Sequence, residues 1–182
     1  PGDRLTYADA ETRSAAAARW LLGAGVGKGT RVGLFFPNGV EWVIWWLAAS
    51  RIGAVVVPLS TMYRPAEIAR VLRLADVAIL VAPPRVLNFD VAERLEAALP
   101  ELADQLGESL SVRSAPYLRR VVLTGESDRR WATRVDPDTA VPPELLAAVE
   151  AEVSPADLAI MIHTSGSTAD PKGVLHTHGT LV

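Results

Sequence analysis

Short apolar runs alternate with longer amphipathic segments along this chain. The apolar runs are rich in Val, Ile and Leu and too short to be helices, which is typical of buried strands. They cover residues 30–36, 54–57, 77–81 and 118–123. Buried strands that alternate with helices of ten or more residues are typical of a parallel sheet with crossover helices. The pattern therefore predicts an α/β fold, part of a doubly wound, mainly parallel sheet with flanking helices.

The predicted helices carry recognisable end signals. Thr6 followed by Asp9 matches a capping box, and the helix that it opens should end at Gly23. A Trp-rich helix is expected between Gly39 and Ala54. Further helices are predicted over 65–75, over 86–106 with a break near Pro100, and over 144–152 within the proline-rich stretch 125–156.

Two other interpretations of the Trp-rich segment, an aromatic ligand pocket and a membrane span, are not favoured by the sequence. Trp42, Trp45 and Trp46 follow helical spacing, which favours a core or interface stripe over an aromatic ligand pocket. The apolar stretch 42–59 is nearly as long as a membrane span, but Arg51 and Gly53 divide it into a helix and a strand. No transmembrane segment is predicted.

Composition excludes several classes of function. A net charge of −3 argues against a nucleic-acid partner, which would favour a basic face. The absence of cysteine removes disulfides, thiolate metal sites and a Cys nucleophile. No signal peptide precedes the first helix, so a cytoplasmic location is expected. Lysine is scarce, since only Lys28 and Lys172 occur among 18 cationic residues.

Lys172 lies in the most informative part of the chain, a hydroxyl-rich loop over residues 163–174 that follows the apolar run 158–162. Small residues let a backbone approach an anion, hydroxyl and N–H groups donate to its oxygens, and an ammonium adds a point charge. The candidate ligands of a polyphosphate are Thr164, Ser165, Gly166, Ser167, Thr168, Lys172 and Gly173. A polar turn between strands also favours these residue types, but needs no such number of hydroxyls beside Pro-Lys-Gly. The Walker A pattern fails at two positions, where Pro171 and Gly173 stand.

This loop resembles the signature of the adenylate-forming (acyl-activating) enzymes, such as acyl-CoA synthetases, which reads roughly Tyr-Thr-Ser-Gly-Thr-Thr-Gly-x-Pro-Lys-Gly-Val. A Ser/Thr-His pair and Asn-Leu follow in that signature. The matching positions are Thr164-Ser165-Gly166, Thr168, Pro171-Lys172-Gly173-Val174, Thr177-His178 and Leu181. His163, Ala169 and Thr180 depart from it.

The resemblance implies a function for the complete enzyme. A carboxylic acid, of the fatty-acid class, would react with ATP to give acyl-AMP, and CoA would then accept the acyl group. Mg²⁺ would accompany ATP, and the loop with Lys172 would hold the phosphates. His178 would lie close to the acyl-carboxylate and phosphate region. No metal ligand is assigned, because His176 and His178 have neither a cysteine nor a suitably spaced carboxylate nearby. No catalytic residue is assigned either, because the resemblance implies that the family's other functional residues follow the loop.

The resemblance also predicts how the chain is organised. Residues 1–182 would form the N-terminal part of a larger adenylation domain that ends just after the loop, with the C-terminal domain absent and the chain inactive by itself. Two alternatives stay open: a non-catalytic module that binds a nucleotide or a protein, and an acyl-AMP ligase that passes its acyl group to a carrier protein. A monomer and a homo-oligomer are both compatible with the sequence.

Overall fold

The protein is described here by a computed structural model that covers residues 4–107, 109–164 and 172–181. The helices are α1 (Tyr7–Gly23), α2 (Val40–Arg51), α3 (Pro65–Leu74), α4 (Val91–Ala98) and α5 (Pro143–Ala151). The strands are β1 (Arg31–Leu34), β2 (Val55–Pro58), β3 (Ile79–Ala82), β4 (Arg85–Val86), β5 (Phe89–Asp90), β6 (Arg120–Leu123), β7 (Ala132–Thr133), β8 (Leu158–Thr164) and β9 (Lys172–Thr177). Short 3₁₀ turns cover Pro100–Asp104, Pro137–Thr139 and His178–Thr180.

Seven of these strands form one sheet in the order β7-β6-β3-β1-β2-β8-β9. Neighbouring strands are parallel except for β9, which runs antiparallel to β8. Because β2 and β3 lie on opposite sides of β1, the chain winds first one way and then the other from this strand. The prediction of a doubly wound, mainly parallel α/β sheet is confirmed.

Helices cover both faces of the sheet, and the strands alternate their side chains between two cores. On one face, α1, α2 and α5 pack over Val56, Ile79 and Ile160. On the other face, α3 and α4 pack over Val57 and Leu80. The central strands are buried on both sides, which explains why they read as continuous apolar runs.

Local signals explain most of the element boundaries. The hydroxyl of Thr6 accepts a hydrogen bond from the Asp9 backbone N–H at 3.1 Å, and the Asp9 carboxylate accepts one from the Thr6 backbone N–H at 3.3 Å. This capping box was predicted, and α1 ends at Gly23 as expected. The break near Pro100 is also confirmed, since α4 ends at Ala98.

The prediction of a helix from residue 86 is wrong over its first residues. Residues 85–90 form a small hairpin of β4 and β5, with Leu87 in a left-handed conformation at its turn. The helix begins only after Asp90, whose carboxylate accepts a hydrogen bond from the Glu93 N–H at 3.0 Å. Asp90 is therefore a helix-capping signal that the apolar pattern alone did not reveal.

The tryptophan stripe is split between two environments. Trp45 lies in the core and meets Trp20 edge-to-face, with 6.1 Å between the ring centroids. Trp42 and Trp46 stack on each other and are only partly buried. Core packing is thus confirmed for Trp45. No helix among the described residues is long and apolar enough to cross a bilayer.

Candidate functional site

The antiparallel pair of β8 and β9 fixes both ends of the hydroxyl-rich loop. Thr164, the last residue of β8, stands opposite Lys172, the first residue of β9, and His163 stands opposite Gly173. Ser165, Gly166, Ser167 and Thr168 lie outside the described residues. The structure therefore brings together Thr164, Lys172 and Gly173, three of the predicted phosphate ligands.

These loop ends lie at the carboxyl edge of the parallel sheet, because β8 runs parallel to β2 and ends there. Open α/β sheets bind their ligands outside this edge. Thr164 and Lys172 are both exposed, and no described residue hydrogen-bonds or pairs with the Lys172 ammonium. A hydroxyl and an unpaired cation thus stand side by side where an anionic ligand could approach.

Lys28, the other lysine of the chain, has a structural role. The Lys28 ammonium forms an ion pair with Asp157 at 2.8 Å, and the same carboxylate accepts a hydrogen bond from the Ser154 N–H at 2.7 Å. These bonds, led by the one from Lys28, lower the pKa of Asp157. They fix the start of β8, whose residues Ala159 to Met161 are buried. Sequence reasoning missed this anchor because its partners are far apart along the chain.

Gly173 has a packing role beside the proposed phosphate role. A Cβ atom at this position would lie 2.9 Å from the Met161 sulfur and 3.5 Å from His163 Nε2. The two side chains of β8 therefore extend over the bare backbone of β9. Burial lowers the pKa of His163, and its Nδ1 atom is buried without a hydrogen-bond partner among the described residues.

His178 does not join the loop ends. It follows β9, and its backbone N–H bonds to the carbonyl of Asp157, which precedes β8. Lys172 and Thr177 are five strand positions apart, which corresponds to about 17 Å at about 3.3 Å per residue. The strand geometry separates His178 from Lys172. The placement of His178 close to the acyl group stays a prediction.

A metal centre is not found among the residues that the structure describes, where no three His, Asp or Glu side chains converge. His176 pairs across the sheet with Ile160, and His178 lies at the same end of β9. The described part of the site therefore offers cationic charge and hydrogen-bond donors to a ligand.

Comparisons with known proteins identify the family of the chain. The family model described as AMP-binding enzyme matches residues 1–182. The chain is 32% identical over 181 residues to the acyl-CoA ligase sidI of Aspergillus fumigatus, covering 100% of this chain and 30% of that protein. It is 31% identical over 183 residues to the acyl-CoA ligase SID4 of Ajellomyces capsulatus, covering 98% of this chain and 30% of that one.

Solved structures show the same fold. The anthranilate CoA ligase AuaEII, in complex with anthranoyl-AMP, superposes with a TM-score of 0.71 at 20% identity, over 97% of this chain and 30% of that one. A fatty acyl CoA synthetase of Mycobacterium tuberculosis gives a TM-score of 0.62 at 24% identity, over 97% of this chain and 30% of the other. The chain thus spans under a third of the length of these relatives.

Proposed function

The chain belongs to the family of AMP-binding enzymes, and from this membership we propose that it supplies the ATP-phosphate loop of an acyl-CoA ligase. The observation that carries the proposal is the pairing of Thr164 with Lys172 at the carboxyl edge of the sheet. This pairing holds a hydroxyl and an ammonium at the two ends of a segment rich in further hydroxyls. The relatives named acyl-CoA ligase support CoA as the acceptor.

The proposed reaction has two steps. A carboxylate oxygen attacks the α-phosphorus of ATP, the bond from that phosphorus to the bridging oxygen breaks, and pyrophosphate leaves. The sulfur of CoA then attacks the acyl carbon, the bond to the AMP oxygen breaks, and the thiol proton is released. Mg²⁺, which we place on the phosphates of ATP rather than on any described side chain, would neutralise part of their charge.

The contribution of this chain is to the first step. Negative charge grows on the β- and γ-phosphates as pyrophosphate leaves, and a preorganised cation and donors stabilise that charge more than they stabilise bound ATP. Lys172 would supply the cation. Thr164, Ser165, Ser167 and Thr168 would supply hydroxyl donors, and Gly166 and Gly173 would leave room for the phosphates.

Replacement of Lys172 in the complete enzyme tests this role. Lys172→Ala should lower kcat for adenylation by about 10²–10³-fold, the usual loss for one group that stabilises transition-state charge. The KM for the carboxylic acid should change little, because Lys172 is not proposed to contact it. ATP–pyrophosphate exchange measures the rate, and Lys172→Arg, which keeps the charge, is the matched control. An unchanged rate in Lys172→Ala would leave the residue as a solvated lysine at a strand end.

The substrate class can be tested with the same assay. We propose an acid of the fatty-acid class, so a panel of short-chain, long-chain and aromatic acids should give the largest kcat/KM with a fatty acid. A preference for aromatic acids would contradict that proposal and leave the adenylation proposal intact. Activity with CoA compared with a carrier protein would identify the acceptor.

A further inference from the structure

A cavity of about 560 Å³ lies at the carboxyl edge of the sheet, away from the hydroxyl-rich loop. The connections that follow β1 and β3 form its walls, through residues 36–40 and through Pro83 and Arg85. Arg4 and Arg13, at the start of the chain and in α1, complete the lining together with Glu41. We call it the switch-point cavity.

Its position follows from the winding of the sheet. The chain leaves β1 towards β2 on one side, and β3 later returns to the other side of β1. The connections after β1 and β3 therefore diverge and leave a crevice between them, which is where doubly wound sheets bind ligands. The volume lies within the range of small-molecule sites.

The charge on the lining favours an anion. Arg13 forms an ion pair with Glu41, so these two charges compensate each other. Arg4 and Arg85 are exposed, and neither pairs with any residue in the described ranges. Two cations without partners thus face one cavity, and a guanidinium binds phosphate oxygens through two parallel N–H groups.

The remaining walls add donors and apolar surface. Gly39 precedes α2 and provides no side-chain cap, so the first N–H groups of α2 stay available to an acceptor beside the arginines. Phe36, Pro37 and Pro83 give the cavity an apolar side. The arginines define the anion position, and these residues offer contacts to an organic group attached to the anion.

We propose that the switch-point cavity binds a phosphate-bearing small molecule, with its phosphoryl group between Arg4 and Arg85. The site is distinct from the loop at Lys172, because β1 and β9 are separated by β2 and β8. Three strand spacings of about 4.8 Å place the two sites about 14 Å apart or more. The adenylation proposed above uses only the loop, so this second anion site goes beyond it.

Calorimetric titration of the protein with inorganic pyrophosphate, inorganic phosphate and AMP tests the proposal. The titrations use a Lys172→Ala background, which removes the cation of the loop, and all variants are compared in this background so that the loop is the same in each. The double variant Arg4→Gln/Arg85→Gln should weaken pyrophosphate or AMP binding at least about tenfold. Arg73→Gln, the same charge change on an exposed residue of α3, should change it less than about twofold. Tighter binding of AMP than of phosphate and pyrophosphate would identify a nucleotide as the source of the phosphate; the reverse order would identify a free anion.

Unchanged affinity in the double variant, or no saturable binding of any of the three probes, overturns the proposal. A second measurement does not depend on the folding of a variant. Phenylglyoxal modifies exposed guanidinium groups, and mass spectrometry reads the modified positions. Pyrophosphate or AMP should protect Arg4 and Arg85 and leave Arg73 fully reactive. Equal modification of all three arginines with and without these probes also overturns the proposal.

Discussion

His163 lies one position before the end of β8, and burial lowers the pKa of its imidazole. Its neutral ring extends over Gly173, and its Nδ1 atom has no partner among the described residues. A proton added there would have to be accommodated without a hydrogen-bond acceptor. We therefore expect His163, the first residue of the hydroxyl-rich loop, to make the stability of the protein depend on pH.

The sign of this sensitivity follows from the direction of the pKa shift. In the unfolded chain the imidazole keeps its ordinary pKa of about 6.5, so it takes up a proton before the folded form does as the pH falls. The free energy of unfolding should therefore decrease as the pH drops from about 7.5 to about 5.5. Urea unfolding at both pH values measures the decrease, and His163→Gln should make it smaller. An equal decrease in both proteins would show that His163 does not contribute.

At the level of single residues, the sequence singled out the candidate loop ligands but not the contacts of their neighbours. Lys172 and Thr164 stand out because their motif is local and dense. The contact of His163 with Gly173 depends on the register of β8 and β9, and the ion pair of Lys28 with Asp157 depends on how the turn before β1 meets the turn before β8. Both arise only when distant segments come together, so no local pattern reveals them.

At the scale of elements, β1 leaves no room for a side chain at Gly33. A Cβ atom at Gly33 would lie 2.9 Å from Leu80 Cδ1 and 3.0 Å from Val77 Cγ1, and both of those residues are fully buried. Their methyl groups occupy the space that a side chain at position 33 would need. Glycine in the centre of this sheet therefore allows close packing against Leu80 of β3 and against Val77, two residues before that strand.

Gly33→Ala should destabilise the protein by about 1–3 kcal/mol, the usual cost of an extra methyl group in a full core. Chemical unfolding of the purified variant measures the loss. Gly27→Ala is the matched control, because nothing lies within 4 Å of a Cβ atom there. A loss of the same size in the control would attribute the effect to glycine itself rather than to packing.

The elements that the sequence predicted well are those with a long periodic pattern or a clear cap. The sequence missed the hairpin of β4 and β5, where residues 86–90 were predicted as helix, and the two-residue strand β7. Strands of two residues are too short to show a periodic pattern. The antiparallel direction of β9 was not predicted either. It is decided by pairing with β8 and not by the residues of β9 alone.

Across the whole molecule, Arg51 joins three helices on one face of the sheet. Its guanidinium forms hydrogen bonds with Glu11 of α1 at 2.6 and 2.7 Å, with Ser14 at 3.1 Å, and with Glu150 of α5. These bonds, led by the one with Glu11, raise the pKa of Arg51. One residue at the end of α2 thus connects α1, α2 and α5 through hydrogen bonds, in addition to their shared apolar core.

Arg51→Gln should lower the melting temperature by several degrees, because two carboxylates lose their shared partner in a partly buried position. Arg13→Gln, which removes only the exposed pair with Glu41, should change it by about 2 °C or less. Differential scanning calorimetry of the two variants compares them directly. Equal shifts would mean that Arg51 contributes no more than a surface ion pair.

The facing positions of Thr164 and Lys172 have a consequence for engineering. Partners in an antiparallel pair have Cα atoms about 5 Å apart, so the segment between them closes a short ring whose ends are held by the sheet. The free-energy cost of closing such a ring depends only weakly on its length, and doubling the length adds about 0.6 kcal/mol. The segment between residues 164 and 172 should therefore be exchangeable for one of different length or composition from a relative, with the surrounding domain still folding.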